Sequence, residues 1–181
     1  MPQMNPARKD AAKNMSLENK KIALNIECAE LITDLRKLYS QYSAPPASKA
    51  PKKGAGEFFS TWLQRRDKIE PVHQEFLDGV QTLVGKLAEH FESLCELDSQ
   101  ACREFSERAL AIIFAPKPKT ERTDIQRFLA ISEYYAPPLF PYASREELGR
   151  IRSGLLARVP RRLMYPKHRE LVDLLEEMTK S

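Results

Sequence analysis

Val72–Leu97 reads VHQEFLDGVQTLVGKLAEHFESLCEL, and its spacing decides the fold. Phe76, Val80, Leu83, Leu87, Phe91 and Leu94 recur every three or four residues, and Leu77, Val84 and Cys95 widen the same face. Glu75, Asp78, Glu89, Glu92 and Glu96 fall on the other side. At about 100° per residue this is an amphipathic helix with one face for a core. Pro71 suits its first turn, because proline's missing N–H has no helical partner there.

The flanking stretches extend the pattern. Upstream, Ser16 is a candidate N-cap, and a long amphipathic helix is expected over 15–43. Leu17, Leu24, Leu31 and Leu38 are spaced by seven, Cys28, Leu35 and Tyr42 form a second seam, and Ile32 and Tyr39 flank them. Leu24, Leu31, Leu35 and Leu38 are the candidate protein interface. They would serve a partner, a homodimer through this helix, or a helix of the same chain. Ile22 and Ile26 lie on the opposite side.

Downstream, Asp98 or Ser99 can cap a helix through Phe105, Ala109, Ile112 and Ile113 to Phe114, stopped by Ala115–Pro116–Lys117–Pro118. A segment at about 123–135 packs through Ile125, Phe128, Leu129 and Tyr135. Ala136–Tyr142 (APPLFPY) is expected as a rigid loop lying across the bundle, in preference to a proline-rich ligand for another domain. Ser144 and Glu147 have capping-box spacing, and their helix uses Leu148, Ile151 and Leu155 before Pro160. Pro166 opens a last helix carrying Leu171, Leu174, Leu175 and Met178.

Residues 1–14 are short of large apolar groups and are expected as a flexible basic tail. Residues 44–56 (APPASKAPKKGAG) form a Pro/Lys/Gly linker, because three prolines forbid a helix and nothing in them can anchor in a core. A short helix with Trp62 follows, within a bundle spanning 57–181. The expected fold is all-α, an irregular helical bundle of about five to seven helices.

Composition agrees and removes several functions. Leucine occurs 21 times against 14 for valine and isoleucine together, which favours helices over strands. Only six glycines are present, and Gly54–Ala55–Gly56 is the one close pair, so no phosphate-cradling loop is encoded. No apolar run reaches the roughly 20 residues that span a bilayer. Three cysteines at unrelated spacings argue for a reducing, cytoplasmic setting without disulfides.

No catalytic constellation emerges. Zinc needs three or four converging ligands, and Cys28, His73, His90, Cys95, Cys102 and His168 include no pair at a ligand spacing. Glu70 and His73 give a single Glu-x-x-His, straddling Pro71, where a diiron site needs two. Cys102 is the only thiol near a helix start, and no histidine is tied to it in sequence. No metal, cofactor or catalytic residue is assigned, and the expectation is a non-enzyme.

Charge is more informative. Residues 57–98 carry four basic and nine acidic groups, whereas Arg145, Arg150, Arg152, Arg158, Arg161, Arg162, Lys167 and Arg169 stand against only Glu146 and Glu147 over 144–169. Seven of these eight cations are arginine, whose planar fork suits phosphate, and Tyr142 and Tyr165 bracket them as stacking groups. They form the candidate nucleic-acid-binding set, for RNA or DNA. The competing reading is internal: the acidic face of 75–98, or Glu170, Asp173, Glu176 and Glu177, neutralises them.

Thr33–Tyr39 and Phe128–Tyr135 are loosely similar to the small helical subunits of CRISPR effector complexes, over about 15 residues and without a diagnostic motif. The resemblance implies a helical subunit beside a nucleic-acid duplex and transfers no residue role. Together these features predict a non-catalytic binding subunit of a larger assembly, with protein partners, nucleic-acid phosphate contacts and no membrane. The alternative is a protein-only adaptor or regulator working through its amphipathic helices. An enzyme of unfamiliar type ranks third.

Overall fold

In the computed structural model the described residues are 6–43, 71–115, 131–158, 160–164 and 166–180. Every regular element among them is helical: α1 (Pro6–Ser43), α2 (Pro71–Leu97), α3 (Ser99–Ile113), α4 (Arg145–Arg158) and α5 (Pro166–Lys180), with 3-10 turns at Ser132–Tyr135, Pro137–Tyr142 and Arg161–Leu163. The fold is an all-α helical bundle. None of these helices is long and apolar enough to cross a membrane. The linker over 44–56, the Trp62 helix and the segment packing through Ile125, Phe128 and Leu129 lie outside the described residues.

α1 and α2 run antiparallel. Tyr39 meets Phe76 edge-on, with ring centroids 5.1 Å apart, near one end, and Lys21 pairs with Asp98 at 3.0 Å near the other. Gly79 permits the close approach, because a Cβ there would stand 3.0 Å from Leu38 Cδ2. α3 packs across both helices. Phe76, Leu77, Val80, Val84, Leu87, Phe91 and Leu94 are buried as the α2 spacing requires, and Glu75, Asp78, Glu89, Glu92 and Glu96 are exposed. Cys95, expected on the buried face, is exposed instead.

Two expectations for α1 change. The helix already runs from Pro6, where a flexible tail over 1–14 was expected. Alanine, arginine and lysine dominate that stretch, and extending a nucleated helix through good helix formers costs little. The buried stripe is also rotated. Leu24, Cys28, Ile32, Leu35 and Tyr39 are buried, Leu31 and Leu38 are half-buried, and Leu17 is exposed. Steps of four, four, three and four follow a straight helix in the groove between two others, not a seven-residue coiled-coil seam.

α3 starts as its sequence predicts. Asp98 accepts the Ala101 N–H at 2.9 Å, and that bond together with Lys21 holds its carboxyl below the usual carboxylate range. Pro137–Tyr142 is a 3-10 helix where a rigid loop was expected. Proline's φ suits that geometry, and Leu139 N–H still reaches Ala136 O at 2.9 Å. The segment does pack on its own bundle, since Leu139 and Phe140 are buried and Ser106 donates to Leu139 O at 2.8 Å. Residues 132–135 likewise form a 3-10 turn in place of the expected helix end.

Candidate nucleic-acid interface

The cations selected from the sequence lie on the α4–α5 hairpin. Ser144 opens α4 by accepting the Glu147 N–H at 3.3 Å, one half of the expected capping box. Glu147 does not reach back; its carboxylate pairs with Arg150. Glu107 of α3 takes the other half, accepting from Ser144 N–H at 3.2 Å and from the Ser144 hydroxyl at 2.6 Å. A local cap has become a tertiary tie. Leu148, Ile151 and Leu155 of α4 and Leu171, Val172 and Leu175 of α5 turn into the core.

α4 and α5 are antiparallel, with Gly149 beside Thr179 and Arg152 on Glu176 at 2.8 Å. That register separates the cations. Arg145 stands at the C-terminal end of α5, whereas Arg162, Lys167 and Arg169 cluster at its start. The 15 residues of α5 span about 22 Å between those ends.

Partners divide the set further. Arg150 pairs with Glu147, Arg152 with Glu176, Arg158 with Glu133, and Arg161 with Asp173 and Glu176. Arg158 also donates to the carbonyl oxygens of Phe114 and Ala115, closing the C-terminal end of α3. Glu176, held by Lys180 and Arg152, has its carboxyl lowered to about 2. Four of the eight cations are therefore neutralised within the chain: Arg152 and Arg161 by the α5 acids Asp173 and Glu176, as the internal reading expects, Arg158 by Glu133, and Arg150 locally by Glu147 of its own helix. Among the described residues Arg145, Arg162 and Arg169 have no acidic partner and are exposed, and Lys167 lies 5.8 Å over the Tyr134 ring.

Sequence reasoning missed Glu133. Its side chain is 2% exposed and bonds Arg158 Nη1 at 3.2 Å and His168 Nε2 at 3.1 Å. The His168 ring packs 5.1 Å from that of Tyr134. Next to Glu133, Ser132 accepts the buried Tyr39 hydroxyl at 2.6 Å, so α1 joins the same node. The available signal was position: Glu133 is the only acid between Asp124 and Glu146, inside a largely apolar run.

The candidate interface leucines are occupied within the chain. Leu24 and Leu35 are buried in the core, and Leu31 and Leu38 pack at its margin. Met15, Ile22 and Ile26 form an exposed stripe on the outer side of α1. Tyr142, expected as a base-stacking group, packs on Phe91 at 5.4 Å; Tyr165 lies outside the described residues. No group of three metal-binding side chains occurs among the described residues.

No family model, curated protein or solved structure is significantly similar to the chain. The likeness of Thr33–Tyr39 and Phe128–Tyr135 to CRISPR-complex subunits thus rests on those residues alone.

Proposed function

We propose that this protein is a non-catalytic helical binding subunit of a larger assembly, contacting nucleic-acid phosphates through Arg162, Lys167 and Arg169. One observation carries the reading: these three exposed cations, without acidic partners among the described residues, surround the start of α5. The first turn of that helix contains no acid, and the helix dipole adds positive potential there. Arg145 stands apart at the other end of the hairpin, and the four internally paired arginines serve the fold.

The test is fluorescence anisotropy of labelled single-stranded RNA and DNA at low salt. The triple variant R162A/K167A/R169A should bind at least about tenfold more weakly, a loss of roughly 1.4 kcal/mol. Its circular dichroism should match the wild type, since none of the three side chains is buried. The reading fails if the wild type binds neither nucleic acid, or if the variant binds equally well.

The exposed stripe of Met15, Ile22 and Ile26 favours a second reading, a protein-only adaptor. It predicts a co-purifying complex that survives nuclease treatment and is lost in I22D/I26D.

A further inference from the structure

Cys28, Cys95 and Cys102 are far apart in sequence, yet the structure gathers them where α1, α2 and α3 meet. Cys28 and Cys102 are fully buried, whereas Cys95 faces solvent. Between Cys95 and Cys102 the chain turns at Asp98, the cap of α3. Cys102 Sγ lies 3.7 Å from the carbonyl oxygen of Phe91. Phe91 is one helical turn before Cys95, so its carbonyl is also the α-helical acceptor for the Cys95 N–H. Cys102 Sγ thus sits against the carbonyl that closes the Cys95 turn, with Cys95 as its neighbouring thiol. Tyr142 packs edge-on against the Phe91 ring.

The two sulfurs differ chemically. Burial pushes the Cys102 thiol up to about 12, with the neighbouring Cys95 adding to the rise, so Cys102 stays protonated at neutral pH. Burial also raises Cys28, to about 11. A solution oxidant meets Cys95 first.

We propose that Cys95 and Cys102 are a peroxide-responsive disulfide site, with Cys95 as the attacking thiol and Cys102 as the resolving thiol. The Cys95 sulfur takes one peroxide oxygen to become a sulfenic acid, and the other oxygen leaves as water. Cys102 sulfur then displaces the hydroxyl from Cys95, and that hydroxyl leaves with the Cys102 proton as a second water. Two thiols are oxidised and one peroxide is reduced. Because Cys95 is exposed, solution thiols reach the bond and should reverse it.

The experiment uses the full reduced chain, hydrogen peroxide, an alkylating quench under denaturing conditions, and trypsin. Cleavage after Lys86 and Arg103 leaves both cysteines in one peptide, residues 87–103. That peptide should become lighter by two hydrogen atoms, resist alkylation, and revert with dithiothreitol. C95S, a surface change, should abolish the species, and C28A should retain it. In C102A, Cys95 should advance to sulfinic acid. Circular dichroism establishes that these variants are folded, and the wild-type and C95S results decide the matter even if C102A is not. The proposal is overturned if wild-type Cys95 goes to sulfinic acid, or pairs with a second chain or with Cys28, while Cys102 remains open to alkylation.

Discussion

Leu35 has no solvent exposure and sits in the core that α1 builds with α2 and α3. Truncation there removes buried methyl groups and leaves a cavity that rigid helices only partly close, so Leu35→Ala should cost about 2–5 kcal/mol. Urea unfolding followed by circular dichroism measures this. Packing within one chain further requires that the midpoint be independent of protein concentration, whereas a dimer held by this seam would become more stable as concentration rises. At the same scale, Glu133 and Cys95 show what spacing conveys poorly. Helical periodicity alone put Cys95 on the buried face, but the chain turns at Asp98 a few residues later and leaves that side chain at the edge of the packing.

Among the elements, the α4–α5 hairpin is tied by Glu176, which binds Arg152, Arg161 and Lys180. Its carboxyl is lowered in the folded protein to about 2 from an ordinary 4.5. A lowered acid stabilises the fold above its unfolded pKa, and that contribution disappears as pH falls through the folded value. Glu176→Gln should therefore lower the thermal midpoint at pH 7, with the gap from wild type closing between about pH 4.5 and 2. A gap of constant size across that window would show that the ion pairs contribute nothing. The helix starts at Pro71, Asp98 and Pro166 were legible because caps and prolines act locally. The 3-10 turns and the shared Ser144–Glu107 tie were not, since both depend on partners more than 30 residues away. The arginine pairings were legible only in part: Asp173 and Glu176 stood out as candidate partners and Glu147 lies one turn before Arg150, whereas Glu133 meets Arg158 only through the fold.

For the whole molecule, the division of those cations sets how strongly salt can act on nucleic-acid binding. Each phosphate neutralised releases condensed counterions, so the slope of log affinity against log salt counts the cations engaged. If all eight residues from Arg145 to Arg169 bound a single strand together, the slope would be about −6. Arg150, Arg152, Arg158 and Arg161 are already neutralised by the protein's own carboxylates, and Arg145 lies a helix length away. Arg162, Lys167 and Arg169 alone give about −2. Anisotropy titrations over a series of potassium chloride concentrations should return the shallow value. Arg145→Ala should leave it unchanged, and Lys167→Ala should reduce it by roughly 0.7. A slope near −6 would mean that the arginines leave their carboxylates on binding. The hairpin would then loosen as nucleic acid docks, and faster amide exchange in α4 and α5 of the complex would accompany the steep slope.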